Sequence, residues 1–316
     1  MKDYIARLLC LGVLFLTSTT ATFACLNTVG RSTVGDQLYT DELSPREFHR
    51  ALTTHKDEKY WLGVLAELQL PGGSLSSPIE RQINTAVAML HLGMVKRAIA
   101  ILEELERTNP GDYYTAANLG TAYELNGENA KALRWIKEGI SRDPDAHNGS
   151  EWLHVRILEA KLALETDQDW LATNSVIGLE RFSNEQLLVD SALTSGNRGE
   201  GLGLKEIETA LIYQLHERLE FIDPPEGVVA NLLYDLSRTL VRSRGTDHAA
   251  IIRSLAQSYG PDLRPWSAPD PYLPAIELPP EPSTAPFWIG GIVGMTVLLV
   301  FGVFVLRRQR SGPMLL

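Results

Sequence analysis

Residues 79–144 contain one pattern twice, and this repeat constrains the fold of the chain more than any other feature. Pro110 and Pro144 are 34 positions apart, and each follows a polar residue, Asn109 or Asp143. A proline cannot continue the helix that precedes it, so each copy has a fixed end. With the same offset, small residues match small ones and bulky residues match bulky ones in the pairs Ala98 and Ala132, Leu102 and Ile136, Met89 and Tyr123, and Ala86 and Gly120.

The matched residue types predict two helices and a turn in each copy. Gly120 and Ala132 allow the two helices to approach closely, because a large side chain at either position would hold their axes apart. Tyr123 and Ile136 then fill the groove between them. One such hairpin cannot bury its apolar face alone, so about three or more must stack. We therefore expect an all-α fold with helical neighbours on both sides of this region.

These motifs resemble the tetratricopeptide repeat (TPR) family, whose period is also 34 residues. The resemblance covers about a fifth of the chain, and Ala116 stands where the family carries Trp. It implies a TPR-like helical-hairpin array (α-solenoid) that binds another protein or peptide as a scaffold, without catalysis. The repeat-defining residues are Leu119, Gly120, Tyr123, Ala132, Ile136 and Pro144 in the second copy, and Ala98, Leu102 and Pro110 in the first.

The flanking sequence extends the helical organisation in both directions. Residues 25–78 predict an N-terminal helical cap or divergent repeat. Residues 79–180 contain the TPR repeats, because a third helical segment begins one period after the second copy. Residues 181–203 are rich in glycine and serine towards their end and predict a loop or insertion, and residues 204–260 predict divergent C-terminal helical repeats.

Both ends of the chain carry membrane-related signals. Residues 1–24 have the charged start, short apolar run and small final residue of a signal peptide. A Pro-rich stalk, 261–286, precedes the uncharged residues 287–306, which at ~1.5 Å per residue would cross a hydrocarbon layer of ~30 Å as one transmembrane helix. Arginines follow in the tail, 307–316, which is therefore expected in the cytoplasm. We expect a single-pass protein of the bacterial inner membrane with a periplasmic, extracytoplasmic body.

Three features of these ends leave alternatives open. Cys25 follows the expected cleavage site and is an alternative lipid attachment site. Gly290, Gly294 and Gly302 share one face of the predicted transmembrane helix and would permit a homodimer. Residues 280–284, followed by an apolar span and arginines, resemble the PEP-CTERM sorting tail of exopolysaccharide-producing Gram-negative bacteria. That resemblance implies an envelope or matrix protein processed by an exosortase.

Composition and motifs give little indication of chemistry. The formal net charge of −10 argues against nucleic-acid binding, and two cysteines exclude a disulfide framework. No motif for a cofactor or a catalytic nucleophile is present. His147, Glu151 and His154 have the residue types of a metal site, so a metal-dependent hydrolase is an alternative. Our interpretation is that they are ordinary helix-surface residues, and we expect neither metal nor cofactor.

The candidate binding surface lies on the first helices of the repeats. Stacked hairpins form a groove that these helices line. Polar side chains there would be exposed and would donate hydrogen bonds to an extended peptide or accept them from it. The alternative is that they are merely solvated. The predicted peptide-binding residues are Asn84, Thr85, Asn118, Thr121, Glu124 and Asn126.

Overall fold

The computed structural model describes residues 40, 42–70, 77–179 and 195–260. Within them, the predicted all-α class is confirmed, since no β-strand is present and β pairing is confined to isolated bridges, such as the one between Ser195 and Gly201. The helices are α1 (Pro45–Thr53), α2 (Glu58–Leu68), α3 (Pro78–His91), α4 (Val95–Thr108), α5 (Tyr113–Leu125), α6 (Asn129–Arg142), a 3₁₀ turn (Ala146–Gly149), α7 (Glu151–Thr166), α8 (Trp170–Thr173), α9 (Leu204–Arg218), α10 (Gly227–Ser243) and α11 (Thr246–Tyr259).

The predicted signals at the two ends lie outside the described residues. This applies to residues 1–24, to Cys25, and to residues 261–316, which include the stalk, the sorting-tail motif, the membrane span with its three glycines, and the tail. Most of the predicted loop at 181–203 is also outside the described part. Among the residues that the structure does describe, no helix combines the length and hydropathy needed to cross a bilayer.

Helix starts and ends follow local sequence signals. Ser44 accepts a hydrogen bond from the amide of Glu47, and the Glu47 carboxylate accepts one in return from the Ser44 amide. This capping box satisfies two amides that the helix itself leaves unpaired, and Ser77 repeats the arrangement at the start of α3. Asn109 and Asp143 end α4 and α6, directly before the prolines that define the repeat.

Helices α3 to α6 form two consecutive hairpins, in which each helix packs against the next. Gly120 of α5 lies directly against α6: a Cβ atom there would be 2.6 Å from Cγ1 of Ile136 and 3.2 Å from its backbone nitrogen. Ala132, one turn earlier on α6, is fully buried. The absence of a side chain at Gly120 is therefore what lets the two helices approach this closely.

Two hydrophobic cores organise the described residues. The first core is formed by the five helices from α2 through α6, with side chains such as Trp61 and Leu102. The second core is formed by α1 together with the helices from α7 through α11. Phe48 and Leu52 of α1 are fully buried in it. The two N-terminal helices therefore serve different cores: α2 packs on α3, whereas α1 packs on α9 and α11. Among the described residues, the first helix therefore completes the core that the last helices form.

The contact at Gly120 predicts the effect of adding one methyl group. We expect Gly120→Ala to lower the free energy of unfolding by about 1–2 kcal/mol, because overpacking against Ile136 outweighs the better helix propensity of alanine. Urea unfolding of the full-length chain, followed by far-UV circular dichroism, measures this change.

Gly63 in α2 provides the matched control, because a Cβ atom there meets no atom within 4 Å. Gly63→Ala should raise the free energy of unfolding by up to about 1 kcal/mol. Ile136→Val removes the terminal methyl group that the added Cβ atom of Gly120→Ala would meet, so the double variant should recover part of the loss. Equal effects of the two alanine substitutions would contradict the close packing of α5 on α6.

Candidate functional site

Helix α9 packs against α7 and the 3₁₀ turn before it, and its C-terminal end with the turn after it, residues 219–222, reaches the C-terminal ends of α5 and α3. Fully buried Ile207, Leu211 and Leu215 fix α9 in the second core. Side chains on the other face of α9, and in the turn after it, contact the repeats. Three contacts mark its course: Tyr213 with His147 before α7, Arg218 with Glu124 of α5, and Phe221 with His91 at the end of α3.

Glu124 is the electrostatic centre of this contact. Its carboxylate accepts hydrogen bonds from Lys161 Nζ at 2.7 Å, from Arg218 Nη1 at 2.6 Å and from His154 Nε2 at 2.7 Å. Burial opposes ionisation of Glu124, but the charges of Arg218 and Lys161 and the bond from His154 outweigh it and hold its pKa well below the ordinary value. Glu124 is thus a buried anion that joins α5 to α7 and α9.

A second buried carboxylate, that of Glu151, lies near Glu124, and His154 pairs with both groups. His147 and His154 both pair with Glu151, and Tyr113 Oη donates to it at 3.2 Å. Burial opposes ionisation of this group too, but the charges and hydrogen bonds of the two histidines lower its pKa. His147 adopts a left-handed backbone conformation, with φ of 56°, which orients it into this interior.

The same contacts argue against the metal-site alternative. His147, Glu151 and His154 do lie together, as that hypothesis required. Burial and the charge of Arg218 lower the pKa of His154, but its bonds to Glu124 and Glu151 outweigh them and raise it. The raised pKa favours the charged form of His154, and its Nε2, which bonds to Glu124 at 2.7 Å, is not available to a metal ion. Nowhere in the described ranges do three His, Cys, Asp or Glu side chains form a group suited to a metal ion.

A cavity of about 240 Å³ remains between α9 and the repeats. It is large enough for one amino-acid side chain and smaller than a pocket for a drug-sized ligand. α5 contributes Thr121, Glu124 and Leu125 to its wall, α7 contributes His154 and Lys161, and the segment from α9 to α10 contributes Gln214, Glu217, Arg218, Phe221, Ile222 and Glu226.

The predicted peptide-binding residues divide into three groups. Asn84 and Asn118 are completely buried, so the expectation that they are exposed is wrong. Thr121 and Glu124 are also buried, against the same expectation, but they line the cavity. For Glu124 the physical reason is that its partners come from distant parts of the sequence, Lys161 of α7 and Arg218 of α9, which enclose its carboxylate.

Thr85 and Asn126 are half-buried and bond within their own neighbourhood. Thr85 donates to the carbonyl of Arg81, and Asn126 donates to Glu128. Neither lines the cavity. The repeat-defining residues lie between the helices instead: Ala98, Leu102, Leu119, Tyr123, Ala132 and Ile136 are buried in the first core, Gly120 faces α6, and Pro110 and Pro144 follow the ends of α4 and α6.

Sequence reasoning missed Lys161 and Arg218 as parts of this site. Each lies on a helix with an apolar stripe, where a charged residue is normally solvated. Arg218 is 94 positions from Glu124, so no local spacing connects the two. The one available signal in the sequence is the breadth of the apolar stripe along residues 204–222, since a charged residue beside it must find a partner when the helix is buried.

The buried ion pairs predict a large cost for neutralising Glu124. Glu124→Gln should lower the free energy of unfolding by about 3–5 kcal/mol, since it removes the negative charge that Lys161, Arg218 and His154 share in the interior. Urea unfolding measures this loss. Glu104→Gln, in an exposed ion pair with Arg107, is the control and should leave stability almost unchanged.

Glu124→Gln also tests how the free energy of unfolding depends on pH. The pKa of Glu124 is depressed in the folded state, so its stabilisation is fully present above the ordinary value of 4.5 and is lost as the pH falls through the folded value. The unfolding free energy of the wild-type chain should therefore fall more steeply below about pH 4.5 than that of Glu124→Gln. Parallel pH profiles of the two proteins would contradict the ion pairs.

Comparison with known proteins shows a distant similarity to two curated relatives. The chain is 27% identical over 118 residues, or 37% of its length, to the cellulose synthase operon protein C of Escherichia coli (strain K12) and to its putative counterpart of Escherichia coli O157:H7. It spans only 10% of the length of these relatives. No protein-family profile and no solved structure matches the chain. The described residues are thus an all-helical, repeat-like array with distant similarity to a cellulose synthase operon protein.

Proposed function

We propose that this chain is a non-catalytic protein–protein interaction scaffold, a TPR-type helical array that binds another protein or peptide. Two consecutive hairpins with a 34-residue period support the repeat assignment, together with the direct approach of Gly120 to Ile136. The distant similarity to a cellulose synthase operon protein adds support for a scaffold role.

The cavity between α9 and the repeats is the observation that carries the proposal. In stacked hairpins, the first helices line the surface on which an extended partner binds. Here the end of α9 and the turn after it lie beside the end of α5, and the cavity between them is lined by Thr121 and Leu125. A partner segment therefore inserts one side chain there and continues along the neighbouring surface.

The pairing of ionisable groups supports the non-catalytic part of the proposal. A general acid or base needs a proton or lone pair that faces the substrate. Glu124 and Glu151 each pair with His154, and Glu124 also pairs with Lys161. The ion pairs of Glu124, Glu151 and His154 hold three helices together. A proton transfer from or to one of these groups during a reaction would break an ion pair that stabilises the fold.

We further propose that the array is displayed outside the cytoplasm. Residues 1–24 and 287–306 support this through their apolar runs, and the arginines after residue 306 support a cytoplasmic tail. Processing by an exosortase is a second candidate, supported by the Pro-Glu-Pro-Ser-Thr motif at 280–284. That candidate would release the array into the envelope or matrix, where it would keep the same binding surface.

Site-directed photocrosslinking tests the scaffold proposal. A photoreactive amino acid at position 125, in the cavity wall, should crosslink the full-length chain to one discrete partner in living cells. The matched control is position 134, which is exposed on α6, and it should give no such product. Equal crosslinking at both positions, or none at 125, would count against the cavity as the binding site.

Labelling and mass measurement test the display. Arg134→Cys should react with a membrane-impermeant maleimide in intact spheroplasts, above the background of the wild-type chain. The mass of the mature chain then separates the two candidates. Retention of residues 310–316 supports a permanent anchor, whereas their loss supports exosortase processing. Absence of labelling until the cells are lysed would refute extracytoplasmic display.

A further inference from the structure

The charges around the cavity balance within the protein. Its wall contains three carboxylates and three bases, which are Glu124, Glu217 and Glu226, and His154, Lys161 and Arg218. The raised pKa of His154 favours its charged form, so the wall as a whole carries no net charge. An incoming charge of either sign therefore meets no excess of the opposite charge in this cavity.

The polar side chains of the wall also have partners within the chain. Glu124 pairs with all three bases. The Glu226 carboxylate accepts a hydrogen bond from the amide of Val229, in the first turn of α10. Gln214 and Glu217 have interaction partners as well. A charged side chain inserted here would lose its hydration and would have to replace one of these partners, which costs free energy.

The apolar part of the wall belongs to both hydrophobic cores. Leu125 and Phe221 pack against the first core, and Ile222 packs against the second. All three side chains line the cavity, and all three are half-buried, so each retains apolar surface outside its core. An apolar side chain placed between them would remove that surface from water and would extend both cores.

We propose that the cavity binds one apolar side chain, of about the size of leucine, from a partner protein. This side chain packs against Leu125, Phe221 and Ile222 and leaves the ion pairs of Glu124 in place. The volume of about 240 Å³ accommodates one such side chain. The inference rests on the proposed scaffold function and adds the chemistry of the residue that the partner inserts.

A fluorine label in the cavity wall tests this chemistry by fluorine NMR on the full-length chain. Fluorophenylalanine in place of Phe221 reports on the cavity, and the same label in place of Phe48, which is buried in the second core, is the control. The ligands are capped pentapeptides that carry leucine, asparagine, arginine or glutamate between glycines. Asparagine has nearly the shape of leucine, so this pair isolates the effect of apolar character.

The leucine peptide should shift the signal from position 221 and leave the signal from position 48 in place. It should bind at least about tenfold more tightly than the asparagine peptide, because only leucine gains free energy from leaving water. The arginine and glutamate peptides should also bind more weakly than the leucine peptide. Any other peptide that binds as tightly as leucine, or no shift at position 221 with ~10 mM leucine peptide, would overturn the proposal.

Salt dependence distinguishes an apolar contact from an ion pair. Raising the ionic strength from ~0.1 M to ~1 M shortens the screening length of charges from about 10 Å to about 3 Å. The affinity for the leucine peptide should not fall over this range, because no ion pair contributes to it. A clear loss of affinity at high salt would contradict the apolar contact.

Leu125→Asn tests the wall directly. It replaces apolar surface of the cavity by an amide and should weaken binding of the leucine peptide about tenfold. Leu62→Asn, at an exposed leucine of α2, is the matched control and should leave the affinity unchanged. Unchanged affinity in Leu125→Asn would refute the contact. The peptide series needs no substitution at position 125, so it decides the proposal even if Leu125→Asn fails to fold.

Failure here is distinguishable from failure of the scaffold proposal. Crosslinking from position 125 requires no assumption about the chemistry of the inserted side chain. A discrete crosslinked partner without a preference for the leucine peptide would overturn only the apolar-side-chain inference. Absence of crosslinking from position 125 would overturn the scaffold use of this cavity itself.

Discussion

One buried carboxylate, Glu124, ties the C-terminal helices of this protein to its repeats. A buried anion costs several kcal/mol to desolvate, and it persists only where good geometry and hydrogen bonds compensate for that cost. Lys161 and Arg218 provide this compensation together with His154. Because the three bases come from α7 and α9, the charge of Glu124 selects one position of α9 over the hairpins. The cavity exists because α9 is held in this position.

The hydrophobic cores explain why this position is stable. α9 contributes fully buried Ile207, Leu211 and Leu215 to the second core, and each such side chain contributes about 1.5–3 kcal/mol on burial. α1 seals the same core from the opposite end of the chain through Phe48 and Leu52. Detaching α9 would therefore expose a whole core. The surface that α9 contacts is therefore buried in the folded protein, whereas in an array without α9 it would be exposed to solvent.

The sequence predicted the hairpins because their causes are local. Each cause acts within one repeat of 34 residues: a glycine lies where the two helices touch, and a proline follows each pair of helices. Gly120 and Ile136, for example, are only 16 positions apart. The site could not be predicted in the same way. Asn84 and Asn118 lie on the first helices, where a groove was expected, and their burial becomes evident only with the rest of the fold. Arg218 reaches Glu124 across 94 positions, which no periodicity encodes.

A small cavity beside a closed face limits how such a protein can recognise its partner. One inserted side chain gives only weak binding, in about the millimolar range by itself. Selective capture therefore requires further contacts along the surface next to the cavity, or several weak contacts held together, as when many copies are displayed on one membrane. The cavity then determines which residue of the partner is accepted, and the surrounding surface determines how long the partner stays bound.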